Sequence, residues 1–324
     1  MQISCFKVIV LICLLSGAAW AGGLDIGRIG MGARTIAMGR AQAAARDLPS
    51  IFVNPANAAT IDKFGAISMY TSPAEDLNYG LLAIDVPIKD GNMGTFGIAY
   101  LSSAITGMQS TSLDAAGRAY PISSFDFSSK LMTLSYGKEV SPNLFSGVSL
   151  KFFSKNFEGV QGGSASGADI DLGLIFFPND NLVLALSAQN ILPSDWGNLS
   201  WGTGFKEDLP INLKMGGSYA TKEEFQILAD YDSLGAVHIG GEYWLKKNLA
   251  LRCGAEAYLN GINFSLGVGV KHAGFSFDYA YYFDTNIFSN STHYFSLGYE
   301  LPYRSIELRP FMPAQGNEEA AFLD

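Results

Sequence analysis

From residue 64 to residue 301 the chain repeatedly alternates bulky apolar residues with polar or small ones, and the pattern is cleanest in the second half. In AVHIGGEYWLKK, Val237, Ile239, Tyr243 and Leu245 share one parity, while His238, Gly240, Glu242 and Trp244 share the other. In NLALRCGAEAYLNG, Leu249, Leu251, Cys253, Ala255 and Leu259 oppose Arg252, Gly254 and Glu256. INFSLGVGVKHA sets Ile262, Phe264, Leu266, Val268 and Val270 against Asn263, Ser265, Gly267, Gly269 and Lys271. GFSFDYAYYFDT sets Phe275, Phe277, Tyr279, Tyr281 and Phe283 against Ser276, Asp278 and Tyr282. A side chain changes face at every residue of a β-strand, so the alternation places charge on one surface and apolar bulk on the other.

Segments of this kind fall at 64–72, 77–87, 93–104, 128–139, 143–154, 167–178, 181–192, 208–220, 223–232, 235–246, 248–259, 261–272, 273–283 and 291–301. That predicts about fourteen strands, an even number, as a single-chain bacterial membrane barrel requires. Short turns at Pro142-Asn143, at 178–181, at Thr221-Lys222 and at 246–248 alternate with longer Gly/Ser/Asn-rich loops near 105–127, 155–166, 193–207 and 284–290. Short turns belong on the periplasmic side and long ones outside. A soluble sandwich has the same period, but its strands are shorter, about five or six residues, and its apolar face points at a core. Strands of about ten residues with aromatic ends favour an all-β transmembrane antiparallel barrel spanning 63–301.

Composition agrees: of 324 residues only 16% are charged, 48% are hydrophobic and 13% aromatic, and there are 36 glycines. After the first residues no run of roughly 18 apolar residues occurs, so spanning helices are excluded and a closed sheet remains. The net charge of −9 argues against nucleic acid as a partner. Lys7, the apolar run Val8 to Leu15 and Ala19-Trp20-Ala21 read as a signal peptide over 1–21, cleaved after Ala21. Cys5 and Cys13 would leave with it, and Cys253 alone can make neither an internal disulfide nor a thiolate metal site.

Residues 22–62 carry no alternation. GARTIAMGRAQAAARDLPSIFVNPANAA is built of small residues with three arginines. Thr35 to Ala45 reads as a short helix, and Asn54 followed by Pro55 reads as the cap and first turn of a second. A barrel of this size has a lumen too wide for wall side chains alone to fill. The segment is therefore expected to form a small helical hatch in the lumen, with Arg34, Arg40 and Arg46 meeting lumen acids among Asp169, Asp171, Asp230, Glu242, Glu256, Asp278 and Glu300. Arg252 and Lys271 are expected to face the lumen with them.

The same stretch resembles the N-terminal signature of the FadL superfamily of outer-membrane barrels. Gly32-Ala33-Arg34, Met38-Gly39, Ala41, Asp47 and Asn54-Pro55-Ala56 match it, whereas Arg40 stands where a second glycine is usual and Asn57-Ala58 replaces Gly-Leu. GVSLKFFSKNFEG, ADIDLGLIFFP and LALSAQNI resemble the PorV/PorQ-like branch. The resemblance implies a hatch inside a fourteen-stranded barrel that sits in outer-membrane lipid. It implies one of two roles: passage of hydrophobic small molecules, with a lateral exit at a kinked third strand, or a PorV-like accessory role toward secreted proteins. The local candidate for an exit is GTFGIAYLSSAITGM, where Gly94, Gly97 and Gly107 weaken strand pairing or permit a bulge.

Enzyme motifs are weak. Gly30-Met31-Gly32 lacks a preceding strand and the third glycine of a nucleotide loop, and Asp169-Ile170-Asp171-Leu172-Gly173 has its glycine misplaced for a calcium loop. His238, His272 and His293 are scattered singly. No catalytic residue, metal or cofactor is expected. Pro302, Pro310 and Pro313 and an acidic end make 302–324 a periplasmic tail.

Overall fold

The computed structural model describes residues 30–301 apart from 62, 75, 89–92, 194, 197, 222–223, 260 and 286–289, together with Ile26. The expected signal peptide and C-terminal tail lie outside the described residues. A short helix, α1 (Ala33–Ala37), and two 3-10 turns, Leu48–Phe52 and Pro55–Thr60, precede the strands. The strands are β1 (Gly65–Ala74), β2 (Leu77–Pro87), β3 (Thr95–Leu113), β4 (Ala119–Ser141), β5 (Leu144–Phe157), β6 (Ser164–Asn179), β7 (Leu182–Gln189), β8 (Asn198–Trp201), β9 (Lys206–Asp208), β10 (Asn212–Thr221), β11 (Phe225–Asp232), β12 (Val237–Lys246), β13 (Leu249–Tyr258), β14 (Gly261–His272), β15 (Phe275–Asp284) and β16 (Asn290–Glu300).

Fourteen of these make the wall, each pairing antiparallel with its neighbours; β7 pairs with β10, and β1 closes on β16 from Gly65↔Glu300 to Tyr70↔Phe295. The short hairpin β8–β9 belongs to the loop after β7 and touches the wall through two rungs, Ala165↔Trp201 and Ser166↔Ser200.

The alternation acts as expected. On β14, Ile262, Phe264, Leu266, Val268 and Val270 are exposed on the outside, while Asn263 and Ser265 are buried inside. Positions 262 to 270 cover about 27 Å of strand, or about 20 Å of bilayer at a tilt near 40°. On the far wall the apolar band is shorter. β3 shows Phe96, Ile98 and Tyr100 outward and then Ser102, which pairs across to the exposed Lys130.

Two departures concern the loops. The stretch expected to be a loop at 105–127 is an extension of β3 and β4, which stay paired to Leu113↔Ala119 with register shifts between Ile105 and Met108 and between Ser110 and Thr111. Alternating Ser and Thr with Met, Leu, Tyr and Ile suits a solvated ladder, and the abundance of Ser and Gly there obscured the period in the sequence. The loop at 193–207 likewise holds β8 and the start of β9. Its Leu199 is fully buried in the main apolar cluster.

An arginine at the middle of the outer band must face hydrocarbon. Leu266→Arg is expected to lower folding stability in lipid vesicles by roughly 2–4 kcal/mol in urea titrations, while Ala116→Arg at the β3–β4 tip leaves it unchanged.

Candidate functional site

The hatch occupies the lumen, and its path follows from a few local rules. Gly32 enters α1 at φ 91, and Gly39 and Arg40 leave it at φ 65 and 61, a left-handed pair that returns their N–H groups to Ile36 O and Thr35 O. The helix expected over Thr35 to Ala45 therefore ends at Ala37. The turn frees the N–H groups of Gln42 and Ala43, and both donate to Asp230 Oδ2 of the wall, at 2.5 and 2.7 Å. Asn54 caps the second turn, its Oδ1 accepting from Ala56 N at 3.0 Å with Pro55 at the first position. The turn is 3-10 where the sequence suggested an ordinary helix. Asn57, one of the departures from the FadL signature, donates to the carbonyls of Ala43, Ser50 and Asn54 and accepts from Arg46 N, stitching the hatch to itself.

The hatch rests on inward-facing wall glycines. Gly137, Gly147 and Gly173 form one cross-strand row on β4, β5 and β6. A Cβ on Gly137 would stand 2.6 Å from Ala59 N, and one on Gly147 or Gly173 would collide with Pro55 and Ala56 or with Asn54. Opposite them, the register pair Gly240 and Gly254 on β12 and β13 lies against Met38 and Gly39. Gly216 and Gly267 make room for Ala43 and Ala37. Met38, Pro55 and Ala56 of the N-terminal signature thus press their backbone on the wall where no side chain intervenes, and Asn54 its capping amide. Sequence reasoning did not single out these wall glycines. Their signal was glycine recurring at lumen parity on neighbouring strands.

Charge fixes the orientation. Arg34 makes paired hydrogen bonds of 2.9 Å to both oxygens of Glu242, another of 2.9 Å to Asp47, and one to Gln226. Burial opposes the guanidinium charge, but Glu242 and Asp47 outweigh it and push its pKa up. Asp47 also accepts from Ser50 Oγ. Arg40 pairs with Glu256 at 3.1 Å and lies 4.4 Å from the centre of the Tyr282 ring. Arg46 lies over the Phe177 ring at 5.0 Å.

Of the lumen acids expected to receive hatch arginines, Glu242 and Glu256 do so. Asp230 serves the hatch backbone instead. Asp278 is held by Arg252 at 2.7 Å, and Arg252 also binds Glu242 at 2.6 Å. Asp171 pairs with Lys151 at 2.6 Å, and Asp169 accepts from the N–H groups of Ile170 and Leu192. Glu300 is exposed at the strand end, outside the set. Lys271 is also exposed, its ammonium 5.6 Å from the Trp244 ring at the short-turn mouth.

Between the hatch and the long-loop end lies a chamber of about 90 Å³. Its lining is part apolar, with Phe52 and Met31 of the hatch, Leu131 and Phe153 of the wall and Leu209, and part polar, with Lys151, Asn190, Lys214, Asp232, His238 and Glu256. His238 Nδ1 lies 3.0 Å from the Gly39 carbonyl, and Nε2 lies 3.4 Å from Asp232. His272 and His293 are elsewhere. Among the described residues no cluster of three or more His, Cys, Asp or Glu is placed to hold a metal.

The glycines proposed for a lateral exit have different surroundings. Gly94, at φ 87, forms the short turn before β3 against the Gly137 carbonyl. Gly97 faces the lumen, and a Cβ there would stand 2.5 Å from Asp85 Oδ1 and 2.9 Å from Ile51 Cδ1. Asp85 is fully buried, with neither oxygen hydrogen-bonded to protein. The β2–β3 ladder runs unbroken from Leu77↔Ile105 to Pro87↔Thr95. The interruption lies higher, between β3 and β4, where Gly107 adopts φ 73 and its N–H donates to Asp126.

The chain is a closed antiparallel barrel whose own N-terminal segment lies in the lumen, and solved structures share the barrel fold. No family model and no curated protein sequence matches the chain. The Pseudomonas putida toluene transporter TodX is similar over 87% of this chain and 100% of its own, at TM-score 0.63 and 13% identity. The Ralstonia pickettii toluene transporter TbuX is similar over 86% and 100%, at 0.61 and 14%. A Pseudomonas aeruginosa FadL homologue is similar over 82% and 97%, at 0.53 and 14%. At such identities the likeness is one of fold.

A side chain on any of the wall glycines that seat the hatch must displace it. Gly254→Val is expected to raise ion conductance in planar bilayers and expose the hatch to protease. Gly217→Val, on an outward glycine with no atom closer than 3.7 Å to its Cβ position, serves as the control and changes neither.

Proposed function

We propose that this barrel sits in an outer membrane, short turns toward the periplasm, and passes small, largely apolar molecules through its lumen under control of the hatch. The observation that carries the reading is the hatch itself: folded, backbone-seated on wall glycines and ion-paired to β12 and β13, it bars the lumen just below a half-apolar chamber. A plug suits such cargo because a water-filled pore would force an apolar molecule to cross water. The shared fold with proteins described as toluene transporters supports the same assignment.

The closed chamber is smaller than the ~150 Å³ apolar cavity known to hold benzene, so cargo passes only when hatch or loops shift. Of the three glycines considered for a sideways exit, Gly107 lies at a register shift, but on the solvated extension of β3 and β4 beyond the apolar band. The secretion-accessory role rests on segments that serve as ordinary wall strands β5, β6 and β7, and no feature of the structure favours it.

Displacing the hatch tests the proposal. Uptake of toluene into proteoliposomes should exceed that of protein-free vesicles, and it should rise in Gly254→Val, where a side chain pushes Met38 and Gly39 off the wall, but not in Gly217→Val. Equal uptake with and without protein would refute transport, and the same uptake in Gly254→Val as in the unchanged protein would refute gating by the hatch.

A further inference from the structure

The chamber's polar lining says more about the cargo than its apolar lining. Among the described residues Lys214 makes one ion pair, 3.3 Å to Asp232. Lys151 spends its ammonium on Asp171 at 2.6 Å and on Asn190 Oδ1 at 3.2 Å. An ammonium has three N–H donors, so each lysine keeps donor capacity at a chamber wall. Both are nearly buried, with side-chain exposures of 11% and 7%, so bulk water offers little compensation there.

The carboxylates already match or outnumber the cations. Lys151 faces Asp171, Arg40 faces Glu256, and Lys214 faces Asp232 with Asp230 near it. A carboxylate ligand would bring an uncompensated negative charge beside these acids. A bare hydrocarbon would leave the lysine donors unmet, and such unmet donors are what let a polar site reject an analogue lacking the matching group. A neutral molecule with an acceptor oxygen meets both conditions while its body lies on Phe52, Leu131 and Phe153.

We infer that the chamber, once widened by movement of the hatch or loops, is a binding site for neutral oxygenated molecules with an apolar body, such as small phenols or alcohols, whose oxygen accepts from Lys214. The inference rests on the transport reading above but is finer than it.

Phenol, toluene and benzoate differ at one substituent and can be compared by proteoliposome uptake and by calorimetric binding to the purified barrel. Phenol should bind more tightly than benzoate. The phenol-to-toluene ratio of affinities should fall about tenfold in Lys214→Met, the size of one hydrogen bond to a charged group. Lys214→Gln, which keeps a donor, should retain part of the ratio. It also covers the case in which Lys214→Met fails to fold, judged by the mobility shift between heated and unheated protein. Benzoate equal to or better than phenol, or a ratio unchanged in both variants, would overturn the inference while leaving transport intact. If none of the three compounds enters faster than in protein-free vesicles, the transport reading falls instead, and the inference with it.

Discussion

A strand in hydrocarbon has no water to satisfy its N–H and C=O groups, so the ladder must close. Here closure is made by β1 on β16, and much else follows from it. Closing fourteen strands fixes an inside too wide to pack from the wall, and parity makes that inside polar. The N-terminal segment resolves the mismatch by bringing apolar filling of its own. Ile36, Ile51 and Phe52 join Tyr79, Leu81, Leu101, Tyr282 and Tyr294 of the wall in one cluster.

Most buried charges around that filling are workable because they are paired, Asp85 being the exception described above. Removing one member of a buried pair costs about 3–5 kcal/mol, since the other is left uncompensated. The hatch-facing acids have second partners on the wall. Glu242 keeps Arg252 whether or not Arg34 is present, and Glu256 keeps the Tyr282 hydroxyl at 2.9 Å and His238 at 3.3 Å. The wall is thus electrostatically tolerant of a moving hatch, whereas the glycine contacts hold it only while the two backbones touch.

Most of the wall was legible in the sequence because one residue of slip would turn every side chain to the wrong face. The segments read at 77–87 and 261–272 coincide with β2 and β14. Reading failed where that constraint lapses: in the solvated extension of β3 and β4, and in β8–β9. Inside, the alternation told which residues face the lumen, and Asp169, Asp171, Glu242, Arg252, Glu256 and Asp278 are all buried there. It could not tell which of them meet, because partners such as Arg34 and Glu242 are brought together by the three-dimensional path of a segment with no period. The role of Gly254 was invisible for the same reason. A missing side chain has meaning only when what fills its place is known.

The paired extension of β3 and β4 past Ile105 and Phe127 leaves two strand edges with no neighbour above the rim. Bare edges invite pairing with another molecule. The two register shifts bend these edges, Pro121 removes a donor from one, and Arg118 and Asp114 charge the tip, where they pair with each other at 2.9 Å. The protrusion's open edges are thereby made poor templates for strand pairing with another chain.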